Sequence, residues 1–236
     1  MLAGERMFGS NGKENFLFPL EDMYLSQGSY TATYSHNGCY AMDFIGWSNG
    51  SRVYQCPYYA PFSCHLVARW GSSSPMVVWE SDDVVNFIDG TTDYACIGFC
   101  HDNNVMSFTI GESRTQGQVI GHTGTYGASA DHVHIEAKKG TYDGYHKNSQ
   151  NVWMLTNSTW LYNLFGVNDT VLSKTYYVNH NGVRVTYPWR EFSDTPIPPT
   201  PTPPPPPPYA GYYRKYPWFT LTSKKLHRWQ TNKNML

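Results

Sequence analysis

Residues 117–136 read GQVIGHTGTYGASADHVHIE, from Gly117 to Glu136. Two short runs, Gln118–Ile120 and His132–Ala137, flank a stretch of Gly, Thr and Ser. That is the composition of strand, turn, strand. Alternate residues of a strand share one face, roughly 6–7 Å apart. His132 and His134 therefore project toward one small site. One ring can bind a metal while the other contacts whatever the metal holds. An isolated H-x-H pair also fits two surface histidines, so its meaning depends on the rest of the chain.

The same short β-type pattern runs upstream. Ser51–Gln55, Met76–Glu80, Asp93–His101 and Asn104–Ile110 read as strands. Asn49-Gly50, Asp89-Gly90, Gly111-Glu112 and Asn181-Gly182 supply turn chemistry. One helix is expected over Asn157–Phe165, capped by Asn157 or Ser158. The pattern predicts a mainly β fold, an antiparallel sheet with little helix, and shows no internal repeat.

Composition narrows the function classes. The 236 residues hold 17 Lys+Arg against 18 Asp+Glu, a formal net charge of −1. Nucleic-acid binders usually show a strong basic excess, so no nucleic-acid partner is expected. With 40% hydrophobic and 15% charged residues, the chain lacks the signature of disorder. No run of 18 apolar residues offers a membrane span. The first twenty residues show no basic region followed by an apolar one, so no secretory signal is read there. Five cysteines, at 39, 56, 64, 96 and 100, cannot all pair within one chain. Reduced, partly buried thiols are the expectation. A structural zinc site from Cys56, Cys64, Cys96 and Cys100 is the alternative, and its spacing suits only the second pair.

Three segments follow. Residues 1–194 are expected to form the body, with its core at about 30–140. Residues 195–208, TPIPPTPTPPPPPP, form a linker. Its six consecutive prolines favour a stiff polyproline rod of roughly 40 Å. Residues 209–236 interleave aromatics with six basic residues and no acid. That leaves 11 bases against 18 acids in 1–208, a net of −7. The near-neutral total hides an acidic body and a basic, aromatic tail.

His36 and Asp43 give the H-x-H pair its meaning. Two imidazoles and a carboxylate make a three-ligand set with an open fourth position, as catalytic zinc sites have. A metal-free pair in a turn is the alternative that spacing alone leaves open. The combination of His36, Asp43, a histidine ending a mid-domain strand, the G-Q-x-I-G-x-x-G run and H-x-H resembles the lysostaphin-type zinc metallo-endopeptidases. These cleave the peptides of bacterial peptidoglycan. The resemblance covers roughly His36 to Ala137.

The resemblance implies the twisted antiparallel sheet of that family's core and one Zn²⁺. It implies His36, Asp43 and His134 as metal ligands, and His132 and His101 as catalytic histidines. Gly117, Gly121 and Gly124 match the family's turn positions. Glu136 is placed to orient a ligand imidazole from behind, or else is a solvated strand carboxylate. His122 sits in the glycine turn, and Tyr34, Tyr40, Trp47 and Tyr126 lie beside motif positions.

One departure stands out. Six residues separate His36 from Asp43, where the family usually has three, so the extra length must loop out. That gap is also found in D-alanyl-D-alanine carboxypeptidases, but their catalytic Glu falls at Asp131 and their glycine at Cys39. The expected substrate is the stem peptides or cross-bridges of the bacterial wall. The resemblance extends to phage endolysins and tail-associated lysins, made in the cytoplasm and acting on the wall at lysis or from the virion. The tail is expected to hold an anionic wall polymer or a virion protein. A non-catalytic wall-binding module is the competing class.

Overall fold

The computed structural model describes residues 3–21, 23–28, 35–48, 51–70, 75–165, 177–178 and 184–185. The expected linker and tail, residues 195–236, and the Asn49-Gly50 and Asn181-Gly182 turns lie outside the described residues.

The chain is mainly β. In order, the strands are β1 (Met23–Gln27), β2 (Met42–Ser48), β3 (Ser51–Val53), β4 (Pro57–Tyr59), β5 (Cys64–Trp70), β6 (Met76–Ser81), β7 (Val85–Asn86) and β8 (Thr92–Asp93). Then come β9 (Ala95–Cys100), β10 (Ser113–Arg114), β11 (Val119–His122), β12 (Val133–Lys139), β13 (Tyr145–Lys147), β14 (Trp153–Leu155), β15 (Tyr177–Val178) and β16 (Arg184–Val185). One large sheet runs β10-β5-β6-β9-β12-β2-β1-β15-β16, with β3 also on β2. Every pairing in it is antiparallel except β1 with β15. Strand pairs β11–β4, β13–β14 and β7–β8 stand apart from it.

The period-2 pattern of β12 explains how the sheet is used. Val133, Ile135 and Ala137 face the main core. His134, Glu136 and Lys138 fall on the opposite face, and all three are also buried. The central strand β9 is buried at every position for the same reason. Ala95, Ile97 and Phe99 enter the main core, while Cys96 and Cys100 join a smaller cluster with Met76, Val78 and Leu155 on the other side. The main core is rich in aromatics. Phe16 meets Phe62 and Phe165 edge-on, and Phe18 meets Phe44 and Phe165 likewise. Such pairs add about 0.5–1.5 kcal/mol each beyond their buried area.

Three expectations need correction. Asn104–Ile110 is not a strand but begins with a 3-10 turn over Val105–Ser107. The Asp102 carboxylate accepts from the Asn104 N–H at 2.7 Å, and its carbonyl accepts from Val105 N–H. This side-chain turn overrides the β preference of the apolar residues. Asn157–Phe165 forms only a 3-10 turn at Leu161–Asn163. Asn157 has φ +58, and its amide donates to Asp143, so it caps nothing. Asp93–His101 is broken at Tyr94 into β8 and β9. All five cysteines are free and buried. Cys96 and Cys100 lie four residues apart on an extended strand, roughly 13 Å, which is too far for one metal ion.

Among the described residues no helix is long and apolar enough to cross a membrane.

Candidate metal centre

The centre is built on a cross-strand pair. Asp43 on β2 stands directly opposite His134 on β12, and Cys100 on β9 stands opposite His134 on the other side. The three residues form one row across the sheet. His36 reaches this row from the preceding turn. The long His36-to-Asp43 segment loops out there: Gly38 has φ +72 and the Cys39 N–H returns to the His36 carbonyl at 3.3 Å. Cys39 and Ala41 are buried against Met154, which pins the loop.

Three donor atoms converge. His36 Nε2 lies 3.1 Å from Asp43 Oδ1 and 3.2 Å from His134 Nδ1, and His134 Nδ1 lies 3.0 Å from Asp43 Oδ1. Ligands 2.0–2.1 Å from a tetrahedral zinc ion are spaced roughly 3.3 Å apart. The triangle fits that spacing without rearrangement. The opposite edge of each ring is already engaged. His36 Nδ1 donates to the Gly28 carbonyl at 2.9 Å, and His134 Nε2 donates to Glu136 Oε1 at 3.1 Å. Those bonds turn His36 Nε2 and His134 Nδ1 toward the triangle. Two imidazole nitrogens this close to a carboxylate oxygen call for positive charge among them, supplied by a proton on His134 or by a metal ion that displaces it. The protein's own electrostatics express the same demand. Burial opposes charge on His134, but hydrogen bonds to Asp43 and Glu136 push it up to about 10. Burial likewise opposes charge on Asp43, yet His36 and His134 hold its carboxyl well below the usual range.

A second group, Cys39 with His134 and Glu136, also brings ligand atoms within 4.8 Å of one another. Cys39 and Glu136 are fully buried and do not reach the groove, and burial pushes the Cys39 thiol far up. This group backs the centre rather than opening onto solvent. Glu136 is therefore no solvated carboxylate: its Oε2 accepts from the Leu155 N–H at 2.8 Å while Oε1 holds His134.

The open side of the triangle faces a groove of about 470 Å³, lined by Asp43, His134, His101 and His132 among others. The His101 and His132 rings lie 4.4 Å apart. His101 Nδ1 donates to the Tyr126 carbonyl at 2.9 Å, and His132 Nδ1 to the Ala130 carbonyl at 2.7 Å. Each Nε2 is left as the free acceptor, and His132 Nε2 lies 3.8 Å from Asp43 Oδ2. Burial, with His132 and His134 nearby, brings His101 down to about 4. His101 also has φ +77, a strained backbone for a side chain of its size. Gly124 permits it. Its N–H and carbonyl bridge His132, and a Cβ there would lie 2.3 Å from the His101 carbonyl oxygen.

Other sequence candidates fall elsewhere. Asp131 is buried, its Oδ1 accepting from Thr123 Oγ1 at 2.7 Å and its Oδ2 from the Gln55 N–H at 3.2 Å. It anchors the segment before His132 and does not line the groove. Its engaged oxygens remove the general base that a carboxypeptidase would need there. His122 is half-buried on β11, away from the groove. His65 pairs with Asp82 at 2.8 Å. Tyr40 packs on Trp160, and Trp47 on Tyr24. Tyr34 lies outside the described residues. The groove's aromatic wall is instead Trp153, beside Asn151 and Val152. These come from the β13–β14 hairpin, whose spacing from the histidine motif carries no signal.

No family model and no curated protein matches the sequence. Several solved structures align with parts of it at low similarity. The catalytic domain of the antimicrobial peptidase lysostaphin from Staphylococcus simulans is 18% identical, with 54% of this chain and 83% of that chain covered and a TM-score of 0.35. A zinc-containing peptidase from Vibrio cholerae is 14% identical, covering 57% and 43%, with a TM-score of 0.38. The deep-sea M23 metalloprotease pseudoalterin is 17% identical, covering 78% and 96%, with a TM-score of 0.36. Likenesses of this size carry no functional weight, which falls to the geometry of the site.

Proposed function

We propose that the chain is a zinc metallo-endopeptidase that hydrolyses peptide bonds in the stem peptides or cross-bridges of bacterial peptidoglycan. The observation that carries this reading is the triangle of His36 Nε2, Asp43 Oδ1 and His134 Nδ1, open toward a groove flanked by two imidazoles. Two imidazoles and a carboxylate suit Zn²⁺, which when bound supplies Lewis acidity to a carbonyl or to water.

The remaining chemistry belongs to the chain. His101 is neutral near pH 7, and the free Nε2 of His101 or His132 can take a proton from attacking water. The protonated ring can then return that proton to the leaving amine. The carbonyls of Tyr126 and Ala130 hold both rings in the required tautomer. Glu136 fixes the His134 ring, so the ligand triangle is set before substrate arrives.

The substrate class follows from the sequence resemblance, and so does a role in phage lysis or wall penetration. In the same reading, residues 195–236 tether the enzyme to anionic wall polymer or a virion protein. Deleting them should weaken pelleting with walls while cleavage of a soluble peptide persists; unchanged pelleting would sink the tether.

Digestion of purified peptidoglycan, followed by mass spectrometry of the products, tests the activity. New internal amine and carboxyl ends are expected, and their absence with His134→Ala. Loss of terminal D-Ala alone would support a carboxypeptidase, and intact muropeptides would support a binding module.

A further inference from the structure

The β13–β14 hairpin gives the groove a wall, and it is tied to the metal centre at both its base and its tip. Leu155 N–H donates to Glu136, and Asn148 Nδ2 donates to the Asn37 carbonyl at 3.3 Å, next to His36. Trp153 carries the wall into the groove. Its ring meets Tyr145 edge-on at 4.9 Å, and Tyr145 stacks on Trp70 at 4.6 Å. The hairpin register sets Lys147 directly opposite Trp153, and the Lys147 Nζ lies 4.6 Å from the centroid of the Trp153 ring.

Lys147 differs from the other described lysines. Lys13, Lys138 and Lys139 each hold a carboxylate at 2.6 Å, from Asp83, Asp143 and Asp89. Among the described residues Lys147 has no acidic partner, and it is exposed. An ammonium resting on an aromatic face keeps its charge and donors available. No lysine or arginine lines the groove itself, and Lys147 stands beside it through its contact with the groove-lining Trp153. Residues 1–208 carry 11 bases against 18 acids, so a negatively charged substrate meets a net repulsive body. A local unpaired cation is what such a substrate needs.

We propose that Lys147 and Trp153 form a subsite for a substrate residue bearing a free carboxylate, such as the C-terminal residue of a wall stem peptide. Trp153 packs against the apolar part of that residue, and Lys147 pairs with its carboxylate. This rests on the hydrolase reading above and adds the feature of the substrate that the groove selects.

The test uses the full-length, zinc-loaded protein and two synthetic stem peptides of one sequence, ending as the carboxylate or the carboxamide. The wild type should favour the carboxylate peptide about 5-fold in kcat/KM, the size of one favourable exposed ion pair, with the difference carried in KM. Raising salt to about 0.5 M should shrink that ratio. Lys147→Gln should remove the preference, and Lys147→Arg should keep it. Equal cleavage of both peptides by the wild type, or an unchanged preference in Lys147→Gln, overturns the subsite while leaving the hydrolase reading intact. Failure to cleave either peptide or purified walls overturns the hydrolase reading, and the subsite with it.

Discussion

Glu136→Gln is a small change in shape with a large expected effect on the metal centre. Glu136 is fully buried and offers two oxygens to two donors, the His134 Nε2–H at 3.1 Å and the Leu155 N–H at 2.8 Å. Cys39 presents its thiol to the same carboxylate. A glutamine has one acceptor oxygen, so either His134 or Leu155 must face an NH₂ group. A buried donor left unpaired costs about 1–3 kcal/mol. The variant also removes the negative charge that raises the basicity of the His134 ring. Losing such a supporting partner typically lowers metal affinity 10–100-fold, or roughly 1.4–2.7 kcal/mol. Competition against a chromogenic chelator reads the affinity, and thermal melts with and without zinc read the stability. The metal-free melt should fall by roughly 2–12 °C for a domain of this size. A zinc Kd within twofold of wild type would show that Glu136 does not support the centre.

Zinc binding at pH 7 should release about one proton, because His134, pushed up to about 10, is protonated without metal and must lose that proton to bind it. Calorimetry in buffers of different ionisation enthalpy measures this, and release of no proton contradicts the charge assignment. The sign also fixes metal-free stability. A raised folded pKa gives stability that is full below the unfolded value of about 6.5 and is lost as pH rises toward about 10. Denaturant melts with a chelator present should show this fall, and a rise over the same window refutes it. His132→Ala should lower kcat by about 10²–10⁴ while keeping one bound zinc, since its ring stands outside the ligand triangle; metal analysis and wall-digestion rates check both halves. Gly124→Ala should destabilise the fold by about 1–3 kcal/mol, because its Cβ would press on the backbone of His101 and Asn103. It should also slow turnover through the shifted His101 ring, and a variant matching wild type in melt and rate would contradict this.

Most of the β organisation was legible because the strands carry their own period. His132–Ala137 and Met76–Glu80 alternate or pack as apolar runs, and both match strands within a few residues. The errors arose where a local side chain outbids propensity, as Asp102 does in turning Asn104–Ile110. That His36, Asp43 and His134 come together was legible through the resemblance of their motifs to a zinc-peptidase pattern, since type and spacing alone also allowed a metal-free pair. The supports of the triangle were not. The carbonyls of Gly28, Tyr126 and Ala130 that orient three of the rings are backbone atoms, which any residue supplies. The Trp153 wall was hidden for another reason: it depends on where the β13–β14 hairpin docks, and that is decided by tertiary packing against Glu136 and Trp70.

The central claim is that this chain holds one catalytic zinc ion between His36, Asp43 and His134. A crystal of the full chain soaked in zinc, with anomalous differences recorded at the zinc edge, tests it most directly. One strong peak is expected, about 2.0–2.2 Å from His36 Nε2, Asp43 Oδ1 and His134 Nδ1, with its fourth side toward His101 and His132. A peak among Cys39, the far nitrogen of His134 and Glu136, or no peak at saturating zinc, would contradict the account.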